Sequence, residues 1–96
     1  MRLSFSTKAS LDLVGLLEFG VESWGEVAAR RYSDRLTARI AGLLEHPELG
    51  PPANEVGIGL RRISAGSHVV FYRVRPNEIW ISRILHASQE PRLHQI

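Results

Sequence analysis

The hydrophobic period of this chain changes near its middle, and that change limits what it can fold into. Up to about residue 46, apolar residues recur at three- and four-residue steps. From about residue 60 they crowd into short runs rich in valine, isoleucine and aromatic residues. The first period suits helices packed on one face, and the second suits strands. Between them lies His46-Pro47-Glu48-Leu49-Gly50-Pro51-Pro52. Proline lacks a backbone donor and clashes with a preceding helical turn, so this stretch ends a helix and forms a stiff loop.

The first half reads as a short strand and two helices. Leu3-Ser4-Phe5-Ser6 is strand-like, and Ser6 or Thr7 supplies a side-chain oxygen to cap a helix over about residues 8–23. Leu11, Val14, Leu17, Val21 and Trp24 give that helix an apolar stripe. Gly25 interrupts it, and Ala29, Tyr32, Leu36, Ile40 and Leu43 mark one face of a second helix reaching about His46. So short a break implies an antiparallel helical hairpin.

In the second half, Leu60 to Ser64, His68 to Arg75 and Ile79 to His86 read as strands, joined by Ala65-Gly66 and by a tight hairpin at Arg75-Pro76-Asn77-Glu78. The order βααβββ implies an α+β domain, a helical hairpin packed on a small antiparallel sheet. A two-residue loop at Pro76-Asn77 sets Val74 opposite Ile79, Arg73 opposite Trp80 and Val70 opposite Arg83. One sheet face then carries Val70, Tyr72, Val74, Ile79, Ile81 and Leu85 toward the helices. The other carries Val69, Phe71, Arg73, Trp80, Ser82, Ile84 and His86. That second face is apolar for a surface with no helix left to cover it. Either it marks a partner site, or residues 48–59 or the C-terminal tail lie over it.

Ninety-six residues suffice for one domain, residues 1–96, with one core. No cysteine is present, so disulfides and thiolate metal sites are excluded. No apolar run approaches the ~18 residues of a membrane span, and the N-terminus reads as a strand, so the cytoplasm is the default location. Charge is unevenly spread. Residues 1–48 hold six Lys or Arg against seven Asp or Glu, a balance of −1, whereas residues 49–96 hold six against three, a balance of +3. Lys8 is the one lysine. The rest of the positive charge is guanidinium, which pairs in bidentate fashion with carboxylate or phosphate.

Taken in order, several segments resemble ParE toxins of the RelE/ParE type II toxin–antitoxin superfamily. They are Trp24-Gly25, Arg31-Tyr32, His46-Pro47-Glu48-Leu49-Gly50, Gly59-Leu60-Arg61, Gly66-Ser67-His68-Val69-Val70-Phe71-Tyr72-Arg73-Val74 and Arg83-Ile84-Leu85-His86. The tail departs from that pattern: Ala87-Ser88-Gln89-Glu90-Pro91 stands where many relatives carry Arg-Met-Asp. The resemblance implies a bacterial toxin that inhibits DNA gyrase by binding, leaving broken DNA and halting replication. It also implies a ParD-like antitoxin, with which the toxin forms a hetero-oligomer, and no sequence-specific nucleic-acid binding by the toxin alone. Two other readings stand beside it: a RelE-like ribosome-dependent mRNA interferase, and a degenerate toxin that only binds antitoxin.

Cleaving RNA needs a group to activate the 2′-hydroxyl, cations around the phosphate and an acid for the leaving oxygen. Arg61 and Arg62 fill part of the basic set seen in RelE-like toxins and His68 stands at the next basic position, but Ala87 and Ser88 follow the last strand and no aromatic follows Trp80. The set is incomplete, and no catalytic residue is assigned. The histidines His46, His68, His86 and His94 lie on separate elements without metal-ligand spacing, so neither a metal nor another cofactor is expected. Arg30, Arg31, Arg35 and Arg39, interspersed with acids, read as a solvated helix face. Two interaction surfaces follow. Arg61, Arg62, Arg73 and Arg83 with His86 are the expected target-binding cations. Leu13, Leu16, Phe19 and Leu44 on the hairpin, and Phe71, Trp80 and Ile84 on the sheet, are the expected antitoxin-binding residues.

Overall fold

The computed structural model describes residues 1–94 and residue 96. The elements are β1 (Arg2–Phe5), α1 (Thr7–Trp24), α2 (Glu26–Ala41), a 3-10 turn at Gly42–Leu44, β2 (Arg61–Ala65), β3 (His68–Arg75), β4 (Glu78–His86) and a 3-10 turn at Pro91–Leu93. This is the expected α+β arrangement. The strand order is β1-β4-β3-β2. β2, β3 and β4 form an antiparallel meander, while β1 joins the edge of β4 in parallel, so the sheet is mixed. A parallel neighbour needs a long crossover, and here α1, α2, β2 and β3 supply it.

Local chemistry sets the helix ends. Ser6 caps α1 by accepting the Ala9 N–H at 2.9 Å, and Gly25 turns the chain into α2 at φ 88°, a region that side chains disfavour. α2 buries Ala29, Leu36 and Ile40, with Leu43 just beyond it, as its spacing predicts. α1 does not follow its predicted stripe. Leu11, Val14, Val21 and Trp24 are exposed, while Ala9 and Gly20 are buried and Leu13 and Leu16 are half-buried. Apolar residues ring most of this helix, so spacing alone cannot select its inner face. The small residues decide it. A Cβ added at Gly20 would lie only 3.0 Å from the Ala29 Cβ, so the helices approach closely there and turn larger side chains outward.

The β3–β4 register also departs from expectation. Val74 faces Ile79 and Arg73 faces Trp80 as expected, but Phe71 faces Arg83 and Tyr72 faces Ile81, which leaves Ser82 as a bulge residue on β4. One extra residue exchanges the faces of everything after it. Ile84 therefore joins the helix-side core with Val70, Tyr72, Ile79 and Ile81, and Leu85 turns to the opposite face.

That opposite face is covered. The chain from Pro51 to Leu60 folds across it, burying Ala53, Leu60, Phe71 and Leu85, with Val56, Val69 and Ile96 alongside. Hydrogen bonds hold this flap: Ala53 N–H to the Leu60 carbonyl at 2.7 Å and Arg62 N–H to the Pro51 carbonyl at 3.1 Å. The buried Tyr72 hydroxyl ties its entrance, donating to the Pro47 carbonyl at 2.8 Å and accepting the Gly50 N–H at 2.9 Å. Burial pushes the Tyr72 phenol above its ordinary range, so it stays a donor at neutral pH.

Candidate functional site

An open groove runs where α1 crosses the far end of β4, with a volume of about 450 Å³. Its apolar wall is Leu11, Leu16, Phe19, Trp24 and Ile84, and its polar floor is Tyr32, His68 and His86. Phe19 and Trp24 are 64% and 53% exposed, so the groove has little of its own to fill it. The rings form a continuous series. Phe19 meets Trp24 edge-on at 6.2 Å, Trp24 lies 5.8 Å from Tyr32, Tyr32 meets His68 at 5.5 Å, and His68 meets His86 at 5.4 Å.

The floor is fixed by hydrogen bonds. The Tyr32 hydroxyl accepts the Ser67 N–H at 2.8 Å and lies 2.6 Å from His68 Nδ1. Gly66 makes this approach possible. It sits at φ 59°, and a Cβ there would lie 2.7 Å from the Tyr32 ring. His86 Nδ1 accepts the Ser88 N–H at 3.1 Å and lies 2.7 Å from the Ser88 hydroxyl. These bonds occupy Nδ1 of both rings and leave Nε2 as the other donor–acceptor position of each. Burial, and then the neighbouring His86, push the His68 imidazole below its ordinary value of 6.5, against an opposing pull from Asp12.

Asp12 anchors α1 to β4 beside the floor. Its carboxylate accepts from Arg83 Nε at 2.9 Å and Nη2 at 3.0 Å, and also accepts the Ile84 N–H at 2.9 Å. The pairing of β1 with β4 ends at Phe5 and Ile81, so side chains from the start of α1 take over the β4 edge beyond it. Ser6 donates to the Ser82 carbonyl at 2.6 Å, and Asp12 serves Ile84. The Asp12 hydrogen bond raises the Arg83 pKa further, so the guanidinium keeps its charge.

The expected target-binding cations do not form one surface. Arg61 donates to the Gly50 carbonyl at 2.7 Å and Arg73 to the Ile58 carbonyl at 2.6 Å, so both hold the flap. Arg62 pairs with Glu55 on the same flap and lies over the Phe71 ring. Arg83 is held by Asp12 on the other side of the sheet, and His86 lies in the groove. Carbonyls left unpaired by the irregular flap need donors, and the guanidinium groups nearest the flap supply them.

The expected antitoxin-binding residues also divide. Leu16, Phe19 and the largely buried Ile84 line the groove, but Leu13 packs toward the core and Leu44 sits in the 3-10 turn beyond α2. Phe71 is 2% exposed beneath the flap, and Ile84 is 3% exposed after the bulge turns it toward the helices, so neither belongs to an open sheet face. Trp80 is partly open, with the Arg75 guanidinium 4.5 Å from its ring centre. Sequence reasoning missed Tyr32, Trp24, His68 and Asp12 as groove residues. Asp12 carried a signal, as the single acid between Lys8 and Glu18 in an apolar stretch.

Among the described residues, no group of three or more His, Cys, Asp or Glu is placed to hold a metal, and no helix is long and apolar enough to cross a membrane.

Comparison with known proteins fits this geometry. The family model for the ParE toxin of the type II toxin–antitoxin system parDE matches residues 3–91. A curated relative, Toxin ParE1 of Caulobacter vibrioides, is 41% identical over 97% of this chain and 94% of its own length. Toxin ParE1 of Mycobacterium tuberculosis is 33% identical over 93% of this chain and 92% of its own. A solved structure described as the chromosomal ParDE TA system from P. aeruginosa shares the fold at a TM-score of 0.79, with 23% identity over 90% of this chain and 95% of that one. Helical hairpin, flapped sheet and whole-length match agree, and the chain belongs to the ParE toxin family of type II toxin–antitoxin systems.

Proposed function

We propose that this toxin inhibits DNA gyrase by binding it, without cutting nucleic acid, and that a ParD-like antitoxin neutralises it by seating an amphipathic helix in the groove between α1 and β4. Its place of action is then the cytoplasm, where gyrase and DNA meet. The observation that carries the antitoxin part is the groove itself: an apolar wall of Leu11, Leu16, Phe19 and Trp24 stands open beside polar Tyr32, His68 and His86. A helix with apolar residues at three- and four-residue steps fills such a wall, and acceptors on its flank meet the imidazoles and the tyrosine.

The non-enzymatic reading draws support from the arginines. A phosphodiester-cleaving site gathers free cations around the phosphate. Here Arg61, Arg62, Arg73 and Arg83 are each committed to a carbonyl or a carboxylate of the same chain. Purified toxin incubated with gyrase and plasmid tests the proposal. Gyrase-dependent plasmid cleavage or loss of supercoiling is expected. Ribosome-dependent cuts in mRNA without an effect on gyrase would replace it with the interferase reading. Antitoxin binding with neither activity would leave a degenerate toxin.

A further inference from the structure

Several cations face solvent, among them Arg2, Arg75 and Arg92, each paired with a carboxylate, but α2 carries arginines in a row. Arg31, Arg35 and Arg39 are all exposed and follow one another at four-residue steps. A four-residue step advances about 6 Å along a helix and turns only about 40° around it, so the three guanidinium groups form one slowly winding stripe. Neither Arg31 nor Arg35 has a hydrogen bond or ion pair among the described residues. Arg39 uses Nε to donate to the Ser64 carbonyl at 3.0 Å. Among the acids of this helix, Asp34 flanks the start of the stripe, three residues from Arg31 and about 60° from it around the axis, with no ion pair between them among the described residues. Asp34 lies about 100° around the axis from Arg35 and Glu26 about 180° from it, and Glu26 is paired with Arg30 at 3.1 Å. Beside the stripe, Arg35 and Arg39 form one wall of a shallow cleft of about 370 Å³, with Ser64, Ala65 and Gly66 forming the other.

We propose that this face of α2 is a contact surface for the sugar–phosphate backbone of duplex DNA. Three guanidinium groups in a row, spaced about as far apart as neighbouring phosphates on one strand, fit a regular polyanion. Each guanidinium takes one phosphate in turn along the strand, Arg35 and Arg39 at the cleft and Arg31 beyond them. Single-stranded nucleic acid is disfavoured, because it calls for exposed aromatic rings on which bases stack. Tyr32, the aromatic residue at this cleft, is half-buried and bonded to His68 and Ser67. A convex helix face carrying arginine and no base-reading constellation gives affinity for the backbone without sequence preference. The choice of DNA over duplex RNA rests on the gyrase reading, since gyrase works on DNA. The affinity for a duplex backbone does not.

The test is binding of the purified toxin to a short labelled DNA duplex of mixed sequence, followed by fluorescence anisotropy across a salt series and without gyrase. The result is therefore independent of whether gyrase is the target. Each phosphate neutralised contributes about −0.9 to the slope of log K against log salt. Arg31→Gln/Arg35→Gln/Arg39→Gln should make that slope shallower by about 2 to 3. Because Arg39 also bonds to Ser64, Arg31→Gln/Arg35→Gln serves as the second variant and should remove about 2 of it. Arg30→Gln, on the other flank, should change the slope little. Salt-insensitive or absent binding by the natural chain would overturn the proposal. So would undiminished binding by the double variant, or stronger binding to single strands or duplex RNA than to duplex DNA. If the variants keep DNA affinity but lose antitoxin affinity, the stripe belongs to an acidic protein segment and the proposal fails.

Discussion

The two faces of the sheet are closed by different means. On one side the flap seals Phe71, Leu85 and Leu60 almost completely, and it is tied by polar groups: Tyr72 at its entrance, Arg61 and Arg73 on its carbonyls, Arg62 on Glu55. On the other side α2 packs through Leu36 and Ile40, while α1 approaches through small residues, Ala9 and Gly20 against Ala29, and turns Leu11, Val14, Phe19 and Trp24 outward. A face covered by irregular chain must find partners for every carbonyl it brings along, and this one consumes arginines to do so. A face covered by helices has its backbone already bonded and can leave apolar surface open. The strand arginines suggested by the sequence therefore each hold a group of the same chain, and the open apolar surface lies along the hairpin.

The sharpest way to break this contrast is at the seam where α1 meets β4. Asp12→Ala removes both bonds to Arg83 and the acceptor of the Ile84 N–H, leaving a largely buried guanidinium without its carboxylate. The expected loss is about 3 kcal/mol of stability, read as a lower urea midpoint with an unchanged m-value. A loss under about 1 kcal/mol would mean that solvent already screens the pair.

Next comes the groove. Phe19→Ser removes an exposed ring from the proposed antitoxin seat. Antitoxin affinity should fall by about 2 kcal/mol, or roughly 30-fold. The melting temperature should hold, because the ring contributes little to the core. Unchanged affinity on folded protein would move the antitoxin contact elsewhere, the half-buried Trp80 on the sheet being the next aromatic to test.

On the flap side, Tyr72→Phe keeps the ring in the core but strands the Pro47 carbonyl and the Gly50 N–H. A cost of about 1–2 kcal/mol is expected, with hydrogen exchange accelerated in residues 50–60 more than in the helices. Equal acceleration in both would show that the flap does not open separately.

Most of the fold was legible in the sequence, and the reasons it was not fully so are specific. Strong turn signals at Gly25, His46-Pro47 and Pro76-Asn77 located the elements. The α2 face was readable because polar residues bound it, whereas α1 is apolar on most sides and its inner face depends on close contact between Gly20 and Ala29. The bulge at Ser82 bears no glycine or proline to announce it, yet it moves Ile84 and Leu85 between faces and sets His86 opposite His68. The site was therefore less legible than the fold. Tyr32 and His68 are separated in sequence and meet only through the Gly66 turn, and no spacing rule connects them.

The smallest effect expected is a pH dependence that separates the two faces again. His68 faces Tyr32 from α2, His86 from β4 and Asp12 from α1. Burial chiefly, and His86 secondarily, hold its pKa below 6.5 in the folded chain. The unfolded chain therefore takes up a proton first as pH falls. The stabilising contribution of neutral His68 is complete above 6.5 and is lost as pH drops from there toward the depressed folded value. The natural chain should lose stability as pH falls below 6.5, and His68→Gln, which retains a polar partner for Tyr32, should lose less over that descent. Glu78, held below 4.5 by Ser4 and Arg75, acts in a separate, more acidic window, its contribution disappearing only as pH falls below that value. Hydrogen exchange assigns the effect to a face. The near-neutral loss should loosen α1 and the ends of β3 and β4 around the groove while the flap stays protected. If the flap loosens first, His68 is not the titrating group that governs this window.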